Sequence, residues 1–240
     1  INDLPMFPVG ALAIAMGIGR FAFTPLLPMM LHDGVVDLPG ASWLATANYL
    51  GYWLGAMACA VQPALWRRWG LAALSNTRAV RFGLVATVLL TLGMAVPWAA
   101  AWPLWRGLAG VISAVVFVYV SGWCLMRLAA LGAPALAGII YVGPGLGIAV
   151  SGLAATGMVA AGARAATGWA AFAVLALVLT AIAWPQLRGA VHAPSGVPAE
   201  HDHPALGATA AFVLAYGLAG FGYIITATFL PVIARQALPG

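Results

Sequence analysis

Arg20 is the residue whose chemistry stands out first, because it lies in an apolar stretch, residues 4–31, that contains no acidic side chain. At about 1.5 Å of rise per residue it lies roughly 22 Å from Pro5, inside a hydrocarbon core about 30 Å thick. A charge at that depth costs about 2.5 to 3.5 kcal/mol even on lenient insertion scales. Its guanidinium presents five donors in a planar fork that fits a carboxylate or a phosphate. We therefore predict that Arg20 binds an anion, either a group on a ligand or a partner carboxylate.

Several other polar residues recur at helical spacing. Gly17, Thr24 and Pro28 fall on the stripe of Arg20 if the segment is an α-helix. Two further apolar segments carry similar stripes, one through Asn48 and one through Arg106. We expect these stripes to line one polar cavity. The candidates for substrate binding or coupling are Arg20, Thr24, Asn48, Tyr52, Arg106 and Tyr223.

Two of these candidates also have a structural interpretation. Asn48 precedes Gly51 and Gly55, a pair of small residues that lets two helices approach closely, and an interhelical hydrogen bond from Asn48 is the favoured interpretation there. Arg106 would lie only a few residues from the outer surface, where a long side chain can reach the interface. For Arg106 this interpretation and a role in the cavity both stay open.

A proline between glycines marks the fifth apolar stretch, where Gly143, Pro144 and Gly147 are the hinge candidates. A proline in the middle of a spanning helix removes a backbone hydrogen bond and allows bending. Glycines beside it allow close helix packing. We predict a hinge at this point, and a static kink is the alternative.

The composition identifies an integral membrane protein. Hydrophobic residues make up 64% of the chain and charged residues 6%, whereas ordinary soluble domains carry about 25% charged residues. The apolar stretches are helical in length, since the strands of a barrel need only about ten residues of alternating pattern. The sequence predicts seven spanning helices, at residues 4–31, 41–64, 80–98, 102–125, 135–160, 168–184 and 206–233.

The ten basic residues, all of them arginines, predict the orientation, because cytoplasmic loops are enriched in basic residues. The opposite side would hold Asp33, Asp37, Arg164 and Arg235. This distribution predicts a multi-pass protein of the bacterial inner membrane with a cytoplasmic N-terminus. The net charge of +5 then reflects topology, and no nucleic-acid partner is expected. The cytoplasmic side would hold Arg67, Arg68, Arg78, Arg81, Arg127 and Arg188.

The connection at residues 186–204 is the one polar stretch of any length, and it is rich in proline and histidine. Imidazole and carboxylate groups suit several divalent metals. Their spacing matches no zinc pattern, so a solvated linker is the favoured interpretation and no metal or cofactor is predicted. Cys59 and Cys124 fall within predicted spans, and no disulfide is expected. The residues that could ligate a metal are His192, Glu200, His201, Asp202 and His203.

The first and seventh stretches share a pattern, which predicts a repeat. Six helices, a polar connection and a helix similar to the first are typical of a parallel repeat of six-helix halves. The matching pairs are Gly17 with Gly220, Gly19 with Gly222, Leu27 with Leu230 and Pro28 with Pro231.

With these features the chain resembles the major facilitator superfamily of secondary transporters, and within it the YbfB/YjiJ branch. Residues 17–30 resemble the opening signature of that branch, and residues 48–56 its second-helix motif. Residues 106–110 are similar to the superfamily's Arg-x-x-x-Gly motif, which is implicated in proton coupling. Gly143, Pro144 and Gly147 resemble its antiporter motif. The loop motif between helices 2 and 3 departs from the pattern, because residues 66–70 supply its basic part without the acidic residue.

The resemblance implies an all-α, twelve-helix membrane transporter of which this chain holds a part. A major facilitator-type six-helix bundle would occupy residues 1–187, a central cytoplasmic loop residues 188–205, and the first helix of a second half residues 206–240. The implied function is secondary active transport of a small organic solute, an anion in the interpretation that Arg20 favours, by alternating access. Proton-coupled antiport or efflux is the implied mode, so that the partners are the solute, protons and membrane lipid. The alternative is a seven-helix interaction or regulatory subunit without transport activity of its own.

Two other classes fit the sequence less well. A retinal-binding protein is excluded because the chain contains no lysine for a Schiff base. An intramembrane serine hydrolase is excluded because no Gly-x-Ser-x-Gly elbow is present and all histidines lie outside the predicted spans. We therefore predict that the protein is not an enzyme.

Overall fold

The computed structural model describes residues 7–70 and 75–188, together with scattered helical positions between 211 and 233. The chain forms two units, Ile1–Val191 and His192–Gly240. Throughout the described ranges the regular secondary structure is helical, with no strand. The all-α class predicted from the sequence is confirmed. The predicted loop at residues 188–205, with its histidines, lies outside the described residues except for the backbone of Arg188.

The first apolar stretch is not a uniform α-helix. It consists of α1 (Phe7–Leu12), a π-helix (Ala13–Arg20) and α2 (Phe23–His32). The Phe21 N–H donates to the Met16 carbonyl at 3.0 Å, the five-residue spacing of a π-helix. Pro25 explains the turn that follows, because its ring crowds the carbonyl four residues earlier. That carbonyl, on Phe21, accepts from the Thr24 N–H at 3.1 Å instead.

The remaining helices of the first unit follow in sequence. Asp37 caps the first of them, accepting from the Gly40 N–H at 2.8 Å, and Ser75 caps the second, accepting from the Arg78 N–H at 3.2 Å. Short 3₁₀ segments precede or follow three of the helices, at Ala99–Ala101, Pro134–Tyr141 and Trp184–Arg188. The helices are α3 (Leu38–Arg68), α4 (Asn76–Gly93), α5 (Trp102–Ala130), α6 (Val142–Ala160) and α7 (Ala165–Ala183).

Four segments in the described part of the chain are long and apolar enough to cross a membrane. They are Pro8–His32, Ala99–Ala130, Pro134–Ala160 and Ala165–Leu187. Each overlaps a predicted span. The helices α3 and α4 are not among them, because polar residues such as Asn48 and Gln62 interrupt α3 and two arginines lie in the first turns of α4.

Glycines allow α3 and α5 to pack backbone against backbone. A Cβ atom on Gly51 would strike the backbone of Gly107, and one on Gly110 would strike the carbonyl of Asn48. Further along both helices, the Tyr119 hydroxyl lies 2.9 Å from Gln62 Oε1. At these glycines the backbones of α3 and α5 leave no room for a methyl group between them.

A second glycine seam joins the first span to α6. A Cβ atom on Gly17 would strike Gly147, and one on Gly143 would strike the Val9 carbonyl. The first span is also tied to α7, because the Ala165 N–H at the start of that helix donates to Asp33 Oδ2 at 2.6 Å. A carboxylate at a helix N-terminus satisfies an otherwise unpaired N–H and complements the helix dipole.

Candidate binding site around Arg20

Arg20 ends the π-helix, and its guanidinium lies against aromatic rings of α3. Its Cζ is 3.9 Å from the centroid of the Tyr52 ring and 5.7 Å from that of Tyr49. The ring of Phe21, the next residue, lies at 5.3 Å. Such cation–π contacts contribute about 0.5 to 2 kcal/mol each, depending on desolvation. They stabilise the charge at this depth while Arg20 stays partly exposed.

Arg106 lies beneath Arg20 and is only 3% exposed. Its Nη2 donates to the Arg20 carbonyl at 3.1 Å, and its Nη1 donates to the Gly19 carbonyl at 3.4 Å. Its Cζ is 4.7 Å from the centroid of the Phe23 ring. Arg106 therefore points into the bundle and not to the membrane surface, and it holds the end of the π-helix.

Asn48 links α3 to the same cluster. It is 0% exposed, and its Nδ2 donates to the Arg106 carbonyl at 2.9 Å. Ser113, on α5, is also buried and donates to carbonyls of its own helix. The geometry of Asn48 is that of an interhelical hydrogen-bond donor, so it positions the site without lining an open surface.

Four of the six predicted site residues thus come together: Arg20, Asn48, Tyr52 and Arg106. Asn48 and Tyr52 are one turn apart on α3, so that one holds the backbone at Arg106 and the other holds the guanidinium of Arg20. These four residues form one cluster of the first span, α3 and α5, and the polar cavity expected beside them stays a prediction.

The other two predicted residues lie apart from the cluster or in the other unit. Thr24 is partly exposed near the start of α2. Tyr223 belongs to the second unit and is 59% exposed. The stripe predicted for Gly17 and Arg20 is divided, because Gly17 packs on α6 while Arg20 packs on α3. The π-helix is the cause, since its wider turn rotates the chain less per residue, so that residues three apart fall further short of a full turn than in an α-helix.

The proposed hinge residues lie where two kinds of helix meet. A 3₁₀-helix ends at Tyr141 and α6 begins at Val142, which makes Pro144 the third residue of α6. The missing N–H of a proline is tolerated in the first turn of a helix. Gly143 and Gly147 face the first span, where any side chain would strike its backbone. These glycines form a packing seam, and the hinge itself stays a prediction.

Sequence reasoning missed the aromatic partners of the two arginines, Tyr49, Phe21 and Phe23. A signal for them was present, because Phe21 and Phe23 immediately follow Arg20 and Tyr49 lies three residues before Tyr52. In the described part of the chain no group of three or more histidine, cysteine or acidic side chains converges as a metal site would require. Cys59 and Cys124 are free, as predicted.

Comparison with known protein families gives one match. A family model described as "Uncharacterised MFS-type transporter YbfB" covers residues 12–240. The chain belongs to this family. Searches of curated proteins and of solved structures find no match.

Membership of the YbfB family confirms the resemblance drawn from the motifs. The family is one of membrane transporters, which agrees with the apolar helices of the first unit. Within this YbfB-type chain, the match covers the Arg20 cluster and both glycine seams.

Proposed function

We propose that the protein is a secondary active transporter that moves a small organic anion across the bacterial inner membrane by alternating access. Proton-coupled antiport is the proposed mode of coupling. The observation that carries the proposal is Arg20, a partly exposed cation within a membrane span, held on the ring of Tyr52. A guanidinium is the side-chain cation whose planar fork of donors fits a carboxylate or phosphate.

The packing supports six membrane crossings between residues 7 and 188. Asn48 of α3 contacts Arg106 of α5, and further along both helices Gln62 contacts Tyr119. Because residue numbers increase in the same direction on both helices, the two helices run parallel. This register extends over 14 residues of α3, about 21 Å. Because α5 is long and apolar enough to span, α3 crosses beside it. The helix between them, α4, then has to return the chain across the membrane.

In this topology the arginine-rich loops lie in the cytoplasm, and the loop that begins at Asp33 lies outside. The spans predicted from the sequence contain no Asp or Glu. A carboxylate that carries the coupling proton would therefore come from the second half of a twelve-helix carrier, or be Asp33. Alternating access would move the first unit as a body against that second half, with Gly143, Pro144 and Gly147 at the proposed hinge.

Transport by the full-length protein in proteoliposomes tests the proposal. Vesicles loaded with a pH-sensitive dye are exposed to a panel of small carboxylates, phosphate esters, neutral solutes and cations, and proton movement is recorded. We expect proton flux with a subset of the anions. Arg20→Ala should abolish this flux, and Arg20→Lys should retain part of it, because lysine keeps the charge and loses the fork.

Both variants must be compared at equal amounts of inserted protein. Arg127→Ala, in the last turn of α5, is the control for loss of one positive charge. Full flux by Arg20→Ala would contradict the proposed role of Arg20. Absence of flux with every compound would favour the alternative function, a membrane interaction or regulatory subunit.

A further inference from the structure

A cavity of about 290 Å³ lies inside the first unit, on the side of the first span away from the Arg20 cluster. Its walls come from α1 and the π-helix, from α6 and from α7, which belong to three of the four candidate membrane spans. The lining is aliphatic or glycine except for Gln186. The wall residues at its two ends are Val9 and Ile18 on the first span and Leu175 and Ile182 on α7.

The dimensions of the cavity match one acyl chain. The nine steps from Val9 to Ile18 along the first span rise roughly 13 Å, and one leaflet of the hydrocarbon core is about 15 Å thick. Water gains no hydrogen bonds from such a lining, so an apolar occupant is favoured. Because the surrounding helices are membrane spans, the apolar molecule at hand is the lipid itself.

The polar end of the cavity carries groups suited to a phosphate. Gln186 also lines a second, small cavity next to Asn76 and Thr77 at the start of α4. Arg81 follows Val80, which lines this second cavity, and its Cζ is 5.0 Å from the ring of Trp184, two residues before Gln186. Arginine binds phosphate oxygens through paired donors, and anionic headgroups are attracted to basic residues at the membrane surface.

We infer that this unit holds one anionic phospholipid, with an acyl chain in the cavity between the first span, α6 and α7 and its phosphate beside Gln186 and Arg81. The site is separate from the substrate cluster, since its lining includes neither Arg20 nor the aromatic residues Phe21, Tyr49 and Tyr52 that contact it. The lipid fills a gap between helices that the side chains of the unit leave open.

Gly10 allows a direct test, because a Cβ atom there would have no heavy atom within 4 Å beyond its own helix backbone and chain neighbours. The Cβ atom of Gly10→Phe therefore meets no neighbour, and because Gly10 lines the cavity the ring should occupy part of it. Gly152→Phe is the matched control, since Gly152 is also a half-buried helical glycine with open space around it and does not line the cavity. Leu179→Trp fills the cavity from α7 and serves if Gly10→Phe fails to insert.

The measurement is native mass spectrometry of the full-length protein, titrated with phosphatidylglycerol or with phosphatidylcholine. We expect one tightly retained phosphatidylglycerol in the wild type and in Gly152→Phe. Retention should be weaker by roughly tenfold in Gly10→Phe and Leu179→Trp, which corresponds to about two lost methylene contacts. Arg81→Gln should weaken retention of phosphatidylglycerol and bring it to the level of phosphatidylcholine.

Two results would overturn the inference. Equal retention by Gly10→Phe, Leu179→Trp and the Gly152→Phe control would show that the acyl chain does not lie in the cavity. Equal retention of the two lipids by the wild type would show that Arg81 does not bind the phosphate. Neither result bears on proton flux through Arg20, so this inference and the proposed function fail separately.

Discussion

Arg106 and Arg20 are neighbouring arginines within the membrane spans, and their surroundings differ in kind. Arg106 is almost completely buried, and its two terminal nitrogens donate to main-chain carbonyls. Arg20 lies on aromatic faces and stays partly exposed. A charge fixed on backbone carbonyls serves the fold, whereas the charge supported on rings stays partly exposed and is the one that we propose for binding. The same residue type thus has a structural role at one position and a proposed binding role at the other.

The largest expected effect comes from substituting Gly110, because the surroundings of Arg106 and of Arg20 both depend on the close packing at this glycine. A Cβ atom there would strike the backbone of Asn48 and Tyr52, the two α3 residues that hold the arginines. Gly110→Val should lower the unfolding free energy by more than about 3 kcal/mol, beyond the usual cost of overpacking. The loss of stability should appear as a lower fraction of monodisperse protein after detergent extraction. Gly122→Val, on the same helix with open space around it, should extract normally, and equal losses in both variants would contradict the seam.

The next largest effect is expected from lysine substitutions, which distinguish the structural role of Arg106 from the proposed binding role of Arg20. Arg106→Lys should lower the unfolding free energy by about 1 to 3 kcal/mol, because one ammonium cannot replace both donors and the charge stays buried. Arg20→Lys should change stability by less than about 0.5 kcal/mol, as at partly exposed sites generally, while it reduces transport. Thermal unfolding of the two purified proteins makes the comparison. Similar destabilisation of both would mean that Arg20 is structural as well.

The smallest expected effect concerns the ring under Arg20. Tyr52→Leu removes the closest cation–π contact and should raise the half-saturating concentration of the most active anion by roughly two- to tenfold. Tyr52→Phe keeps the ring and loses only the hydroxyl, which also forms a hydrogen bond with Arg20, so it should show a smaller increase than Tyr52→Leu. Proton flux at graded anion concentrations provides the measurement. If the two variants are affected equally, the hydroxyl and not the ring supports Arg20.

The sequence predicted the class of the fold and most residues of the cluster, because both follow from the free-energy cost of placing polar or charged groups in the membrane. Hydropathy identified the four candidate spans found among the described residues, the depth of Arg20 drew attention to the cluster, and the small residues after Asn48 indicated the α3 seam. The burial of Arg106 could not be predicted, since its distance from the helix start is compatible with reaching the surface.

The π-helix was also beyond prediction. Periodicity assumes 3.6 residues per turn, and the five-residue hydrogen bond from Phe21 to Met16 depends on packing around Pro25 and Arg106. The division of the predicted Gly17–Arg20 stripe follows from that single change of pitch. Candidate residues were therefore identified better than the directions in which they point.

The contact of Asp33 with Ala165 pins the end of the first span to the start of α7. Leu26 packs on Gly168 close to this contact, whereas Val9 and Ile182 border the apolar cavity toward the other end of the two helices. A lipid chain in the cavity would fill the space between the two helices there. Its removal would let the unpinned ends move closer together while Asp33 keeps the other ends in place. The spacing of the first span and α7 would then respond to the membrane in which the protein lies.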